Sequence, residues 1–353
     1  MQPRIPVAVL GATGTVGQRF VQLLAGHPWF EVAAVTASER SHGRPYGEAV
    51  RWLLEAPLPP EVARLPVLAT APEFDCPLVF SALDGSIAGP AESAFAAAGH
   101  LVVSNASSHR MDPDVPLVVP EVNPEHLGLA QRRVGGGAGA ILTNPNCSTI
   151  GLVLTLKPLA DLFGLRRVLV TTLQALSGAG LPGVPGIQAL DNAIPFIGGE
   201  EDKLEAEPLK ILGVLGDDGV VPADLAISAH CNRVAVLDGH LECVSVAIEE
   251  DVASEDLVEA WRRFAGEPQR LGLPSAPRPP ILVADQADRP QPRLDRSAGA
   301  GMAVTVGRVR RCAVLDHKYV LLSHNTVRGA AGGSILLAEL ALARGLVPGA
   351  APP

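Results

Sequence analysis

A glycine-rich loop near the N-terminus constrains the fold of this chain more than any other feature. The strand-like run Val7–Leu10 leads directly into GATGTVG at residues 11–17, where glycine recurs every third residue and a helical pattern follows. The backbone amides of such a turn can approach a pyrophosphate, and the following helix N-terminus favours its charge. Placed between a first strand and a first helix, the loop predicts a dinucleotide-binding unit, although a structural turn without ligand remains the alternative. The predicted cofactor contacts in it are Gly11, Thr13, Gly14, Thr15, Val16 and Gly17.

The alternation of strand and helix continues over the first 150 residues. Helical patterns cover Gly17–Ala25 and Ala88–Ala98 and lie between short apolar runs. The predicted strands are Val7–Leu10, Val32–Thr36, Leu78–Ser81, Leu101–Ser104 and Ala140–Leu142. Alternation at this spacing predicts an α/β domain of the Rossmann type, with a doubly wound, mostly parallel sheet.

The sequence pattern changes after residue 148. A helix is predicted over Thr149–Leu162, and six prolines make Leu271–Arg296 an expected extended surface excursion rather than a helix. The later predicted strands are Arg167–Ala175, Ala223–Ala235, Glu242–Ile248 and Met302–Arg310. They predict an α+β domain for catalysis and dimerisation with a largely antiparallel sheet.

The chain length of 353 residues favours two domains. A final helix over Gly329–Ala343 is expected to return to the first domain, which makes that domain discontinuous. We therefore predict a cofactor-binding domain from residues 1–146 and 326–353, and a catalytic and dimerisation domain from residues 147–325.

Charge and cysteine content exclude several classes of protein. The net charge of −9, with scattered basic residues, argues against nucleic acid or an anionic membrane as partner. Five cysteines without a C-x-x-C pair argue against a disulfide scaffold or a zinc ribbon, and we expect no metal. With no signal core or spanning apolar run, a cytoplasmic location is expected.

The end of the second strand bears on cofactor choice. Ser38 occupies the position where NAD-binding folds place an acidic residue. The hydroxyls of Ser38 and Ser41 with the Arg40 guanidinium suit a 2′-phosphate, which favours NADP. The carboxylate of Glu39 leaves NAD as the alternative.

Cys147 lies at a predicted loop-to-helix junction, between Asn146 and Ser148-Thr149. The dipole of the following helix favours the thiolate form of a cysteine there. Taken alone, such a cysteine is more often a small core residue than a nucleophile. We interpret the other four as core residues: Cys76, Cys231, Cys243 and Cys312.

Arg233 and His240 supply groups that a cysteine nucleophile needs. A thiolate that attacks an anionic substrate requires an acid/base and a cation. An offset of seven would not align the two residues on a straight strand, but a turn at Asp238-Gly239 could bring them together.

Eight motifs are spread over essentially the whole length of the chain. They are GATGTVG at 11–17, SNASSHR at 104–110, VPEVN at 119–123, NPNCST at 144–149, LQALSGAG at 173–180, GEEDKLEAE at 199–207, NRVAVLDGH at 232–240 and NTVRGAAG at 325–332. Through these motifs, which occur in the order of the family, the chain resembles the aspartate-β-semialdehyde dehydrogenases, in particular the archaeal and fungal branch.

The resemblance implies a role for each matching residue. Cys147 matches the nucleophile, His240 the acid/base and Gln174 a glutamine that orients the acyl intermediate. Arg233 matches the arginine that binds the substrate carboxylate, and Glu200 the carboxylate near the substrate amino group. Further implied substrate residues are Lys203, Arg110 and Asn146, and further implied cofactor residues are Ser177, Gly178 and Asn325.

The implied reaction is the NADPH-dependent reductive dephosphorylation of L-4-aspartyl phosphate to L-aspartate 4-semialdehyde through a cysteine thioester. It belongs to the biosynthesis of lysine (through diaminopimelate), threonine, methionine and isoleucine, and the implied assembly is a homodimer or homotetramer. Three alternatives remain: a malonyl-CoA reductase with the same chemistry, an N-acetyl-glutamyl-phosphate reductase, and a cofactor-binding sensor without catalysis. A sensor has no need of the set Cys147, Gln174, Arg233 and His240.

Overall fold

The computed structural model describes residues 3–134, 137–217 and 219–351. The chain divides into two compact units. The first consists of Met1–Val118, Glu125–Asn144 and Ala331–Pro353, and the second of Val119–Pro124 and Pro145–Ala330.

Strands and helices are numbered separately in chain order. The strands are β1 Ile5–Leu10, β2 Phe30–Thr36, β3 Val67–Leu68, β4 Leu78–Ser81, β5 Leu101–Ser104, β6 Ala140–Thr143, β7 Leu165–Gln174, β8 Ala193–Ile194, β9 Val214–Leu215, β10 Val220–Val221, β11 Ala226–Val234, β12 His240–Ile248, β13 Ile281–Ala284, β14 Val304–Arg311 and β15 His317–Ser323. The helices are α1 Thr15–Leu24, α2 Tyr46–Ala49, α3 Pro60–Ala63, α4 Gly85–Ala97, α5 Gly128–Val134, α6 Cys147–Phe163, α7 Gly186–Ala189, α8 Glu200–Ile211, α9 Ser254–Arg263, α10 Glu267–Leu271, α11 Pro292–Asp295 and α12 Gly332–Ala343.

The first unit is built on a parallel sheet. Within the described residues, its strand order is β3-β2-β1-β4-β5-β6, and every neighbouring pair is parallel. Strands β4, β5 and β6 are buried along their whole length, as expected for a parallel sheet covered on both faces. The helix α12 packs against α1 and β5. The predicted Rossmann-type, doubly wound sheet is confirmed, and β3 was missed because two residues carry too little pattern.

The second unit is built on a mixed sheet. Over the described part of the chain its order is β13-β14-β15-β12-β7-β11-β8. The pairs β13–β14 and β7–β11 are parallel and the remaining pairs are antiparallel, which confirms a largely antiparallel sheet. The apolar helix α6 packs on β12 and β15 and covers one face. The other small sheet pairs β9 with β10.

The expectation for the proline-rich stretch was partly wrong. Residues 271–296 contain the edge strand β13 and the short helix α11, which begins at Pro292. Proline fits the first position of a helix because the amide it lacks has no partner there. No helix within the described ranges is long and apolar enough to cross a membrane.

Candidate active site

Cys147 is the first residue of α6, and Asn146 caps the helix. The Asn146 side-chain oxygen accepts hydrogen bonds from the amides of Ser148 at 2.9 Å and Thr149 at 3.4 Å. This satisfies two amides that a helix start leaves without partners. The thiol therefore lies at the positive end of a long, capped helix.

His240, the first residue of β12, lies beside this thiol. Its Nε2 is 3.2 Å from Cys147 Sγ, and the Ala175 amide donates to its Nδ1 at 3.0 Å. Because Nδ1 accepts a hydrogen bond, the proton of the neutral ring is on Nε2 and faces the sulfur. Complete burial, aided by the charge of Arg233, lowers the pKa of His240 to about 3. The ring is thus a neutral donor at physiological pH.

Arg233 reaches the same place from the strand predicted over residues 223–235. It lies near the end of β11, and β7 separates that strand from β12. No hairpin therefore joins Arg233 to His240, although both approach the same point. The buried guanidinium donates through Nη1 to the Ala175 carbonyl at 2.7 Å. Burial lowers the pKa of this group, while Cys147 and Glu200 oppose the shift.

Gly178 packs closely against both the arginine and the histidine. A Cβ at this position would lie 2.8 Å from Arg233 Nη1 and 3.2 Å from His240 Cε1. Any larger residue would therefore displace one of these two side chains.

Helix α8 contributes a cluster of polar contacts through Glu200. Its Oε2 accepts from Asn146 Nδ2 at 2.8 Å and from Gln174 Nε2 at 3.3 Å, and its Oε1 accepts from Lys203 Nζ at 2.9 Å. Burial raises the pKa of this carboxyl, but Lys203 and the hydrogen bonds outweigh burial and hold the pKa below its usual value. The carboxylate is therefore ionised.

Glu207 was not predicted as a site residue from the sequence. This buried carboxylate, two helical turns after Glu200 on α8, accepts the Asn146 backbone amide at 2.7 Å. The signal was present in GEEDKLEAE, since residues seven apart share a helix face. Asn146 is thus held at both its backbone and its side chain.

The predicted cofactor residues of the first unit lie on its glycine loop and after β2. Gly11 has a φ of 69°, and a Cβ on Gly17 would lie 2.2 Å from the Gly11 carbonyl oxygen. Helix α1 begins at Thr15 with no side-chain hydrogen bond at its N-cap Gly14, and an anion can bind helix amides that no side chain caps. The residues predicted to bind the 2′-phosphate are exposed or half-buried after β2: Ser38, Arg40 and Ser41. The loop therefore fits a dinucleotide phosphate.

Three other predicted residues are fixed by hydrogen bonds. Asn325 accepts from the Gly239 amide at 2.9 Å and donates to Ser177 Oγ at 2.8 Å, both within the second unit. Arg110 belongs to the first unit, is buried, and donates to the Asn105 carbonyl at 2.8 Å.

The remaining cysteines divide into two groups. Cys76 and Cys231 are buried as predicted, and burial raises the pKa of each thiol to about 11. The prediction was wrong for Cys243, which is exposed on β12, and for Cys312, which is half-buried in a turn. Cys231 lies within β11. Among the described residues, no group of three or more His, Cys, Asp or Glu is arranged to hold a metal ion.

Most of the chain matches two domain families of the semialdehyde dehydrogenases. Residues 6–130 match the semialdehyde dehydrogenase NAD-binding domain, and residues 156–328 match the semialdehyde dehydrogenase dimerisation domain.

Individual relatives show to which family of semialdehyde dehydrogenases the chain is similar. The chain is 52% identical over 342 residues to an aspartate-semialdehyde dehydrogenase of Methanothermobacter thermautotrophicus, covering 95% of this chain and 98% of the relative. It is 48% identical over 357 residues to that of Saccharomyces cerevisiae, covering 96% and 98%. The crystal structure of the Candida albicans enzyme with NADP superimposes with a TM-score of 0.91 at 45% identity, covering 98% and 100%. The chain belongs to the aspartate-semialdehyde dehydrogenase family.

Proposed function

We propose that this chain catalyses the NADPH-dependent reductive dephosphorylation of L-4-aspartyl phosphate to L-aspartate 4-semialdehyde. The observation that carries the proposal is the Cys147 sulfur 3.2 Å from His240 Nε2 at the start of a capped helix. The similar aspartate-semialdehyde dehydrogenases support the substrate class, because their similarity to this chain extends over nearly its whole length.

The residues of the second unit account for the covalent steps. The Cys147 thiolate attacks the acyl carbon, and the phosphate leaves with the electron pair of its bond to that carbon. NADPH, when bound at the glycine loop, supplies the hydride for reduction of the thioester. His240, as the acid/base of the proposal, donates a hydrogen bond from its Nε2 to the alkoxide that forms on the former acyl carbon. The electron pair of this alkoxide re-forms the carbonyl as the carbon–sulfur bond breaks. Aldehyde and thiolate are the products.

Charged side chains set the substrate orientation in this proposal. Arg233 binds the substrate carboxylate, and its contact with the Ala175 carbonyl fixes the guanidinium plane. Glu200 binds the substrate amino group, and Gln174 orients the acyl group. Lys203 and Arg110 serve the phosphate, while Asn146 shapes the turn that carries the thiol.

Cofactor choice follows from the first unit. Ser38, Arg40 and Ser41 bind the 2′-phosphate of NADP, and Ser177, Gly178 and Asn325 line the nicotinamide side. The solved Candida albicans relative with NADP supports this cofactor. We further propose a cytoplasmic homodimer or homotetramer, for which the match to a dimerisation domain is the support. The domain division at residues 146 and 326 remains a prediction.

The test is an assay of aspartate semialdehyde oxidation that requires both NADP⁺ and inorganic phosphate. Wild type is expected to form NADPH beyond one equivalent per active site only when aspartate semialdehyde, NADP⁺ and phosphate are all present, and Cys147→Ser is expected to form none. A rate independent of phosphate, or retained by Cys147→Ser, would overturn the proposal.

The malonyl-CoA reductase alternative is not favoured by the relatives found. Malonyl-CoA with NADPH in a parallel assay completes the comparison. Turnover of malonyl-CoA above that of aspartate semialdehyde would reverse the preference.

A further inference from the structure

We propose that the buried ion pair between Glu121 and Arg328 is a positioning device for the Cys147 nucleophile. The inference rests on the proposed function, because it concerns the reactivity of the same thiol. Arg328 Nη1 donates to Glu121 Oε1 at 2.9 Å, and Nη2 donates to Oε2 at 2.6 Å. Both side chains are fully buried. The contact is therefore bidentate and fixes the orientation of the guanidinium.

The arginine acts on the nucleophile through the next residue. Arg328 lies in the π-helical turn Val327–Ala331, and Gly329 packs directly on the first residue of α6. A Cβ on Gly329 would lie 2.8 Å from the Cβ of Cys147 and 3.0 Å from its Cα. With no space between the two backbones, a shift of this turn must move Cys147 or open a gap beside it.

The turn is held at its other end as well. The Gly329 amide donates a hydrogen bond to the His324 carbonyl at 3.0 Å. The Asn325 side chain accepts a hydrogen bond from the Gly239 amide and donates one to Ser177 Oγ. Residues 324–329 thus form one wall of the site, anchored by Asn325 at the start and by Arg328 at the end.

Glu121 is itself immobilised. A Cβ on Gly266 would lie 2.5 Å from the Glu121 Cα, so two backbones are also in close contact there. Gln269 Nε2 donates to Glu121 Oε1 at 3.4 Å. The carboxylate is therefore a rigid acceptor against which the Arg328 turn is placed.

Stability alone does not account for an ion pair at this position. Two buried charges lose their hydration, and well-packed apolar residues of similar volume often give equal or greater stability. A bidentate pair adds a defined direction, which an apolar contact lacks. The close contact between Gly329 and Cys147 requires the turn that carries Arg328 to be held in one orientation.

The test separates stability from thiol reactivity. Breaking the pair in Glu121→Gln leaves a lone buried charge and is expected to lower Tm. The double variant Glu121→Leu/Arg328→Met carries no lone charge and is expected to recover most of the lost Tm. Its Cys147 is nevertheless expected to alkylate with iodoacetamide at least about tenfold more slowly, as followed by peptide mass spectrometry between pH 6 and 9. In the turnover assay, kcat should fall to a similar extent with KM within about twofold.

A conservative variant and a matched control complete the design. Arg328→Lys keeps the charge but cannot form the bidentate contact with Glu121, and we expect an intermediate loss of the Cys147 alkylation rate. The control is Glu339→Gln, which breaks the buried His27–Glu339 pair of the first unit and should lower Tm without changing Cys147 alkylation. A wild-type alkylation rate in Arg328→Lys, or in a stable double variant, would overturn the inference. Because alkylation needs no substrate, this outcome is distinct from failure of the proposed reaction.

Discussion

His240 is charged in the unfolded chain below pH 6.5 but neutral in the folded one until about pH 3, because it is completely buried. Between these values the unfolded state binds the extra proton, so stability is lost as the pH falls from 6.5 towards 3 and is unaffected above 6.5. We expect urea midpoints of the wild type to show this loss, and those of His240→Asn to show a smaller one.

The same residue predicts a pH profile for turnover. Since the ring stays neutral, kcat should show no inflection from His240 between pH 5 and 8. His240→Asn should lower kcat by about 10²- to 10⁴-fold, the usual contribution of an acid/base. A wild-type inflection near pH 6.5 that disappears in His240→Asn would contradict this assignment.

Glu242 is a second buried titratable residue. It lies two positions after His240 on β12 and on the same face of the strand. Neither of its carboxyl oxygens has a hydrogen-bond partner within the described residues. Complete burial raises the pKa of this carboxyl well above its usual value of 4.5. The folded state therefore keeps a proton that the unfolded state loses above pH 4.5.

The consequence is a stability term that is present below pH 4.5 and declines as the pH rises. Its size is about 1.4 kcal/mol for each pH unit above 4.5, until the folded pKa is reached. Glu242→Gln should remove this slope, so that denaturation midpoints of variant and wild type diverge from pH 5 to 8. Parallel curves over that range would show that Glu242 is ionised in the folded protein.

At the scale of elements, α8 connects the site to its surroundings through four carboxylates. Glu200 and Glu207 bind Asn146, whereas Glu201 and Glu205 accept the amides of Cys231 and Ala229 at 3.0 Å each. One face of α8 therefore holds the turn before the nucleophile, and another covers backbone donors of β11. The GEEDKLEAE motif therefore stabilises the backbone around the site in addition to its proposed role in substrate binding.

This division predicts different effects for two glutamates of one helix. Glu207→Met leaves the buried Asn146 amide without its acceptor and should cost about 1–3 kcal/mol, with about tenfold lower kcat. Glu207→Gln keeps an acceptor and should stay near wild type. Glu205→Met is the matched control, with lower Tm and unchanged kcat. Equal losses of kcat in both methionine variants would show a general effect of α8.

The helices and strands show which parts of the fold could be predicted from the sequence. Strands such as β4 and β5 were predicted from continuous apolar runs between helices. The position of β7 between β11 and β12 could not be predicted, because strand order depends on long-range pairing. For the same reason Arg233 and His240 were predicted to meet across a single turn. Glu242 has no local sequence pattern that separates it from a solvated charge.

At the scale of the whole molecule, the two units contain different groups of functional residues. The glycine loop belongs to the first, and the contacts around Cys147 belong to the second. Gly17→Ala places a Cβ 2.2 Å from a backbone oxygen, so the loop must shift. NADPH affinity, measured by fluorescence titration, should fall about tenfold or more, while the Cys147 alkylation rate stays unchanged. Wild-type NADPH affinity in this variant would remove the loop from the cofactor site.

The central claim, a thioester on Cys147, is tested most directly by trapping it. Enzyme mixed with aspartate semialdehyde and NADP⁺ without phosphate should release NADPH in a burst of one equivalent per active site. Acid quenching and peptide mass spectrometry should then find the aspartyl group on the peptide that contains Cys147, and added phosphate should remove it. NADPH formation with no adduct, or with the adduct on another residue, would contradict the account.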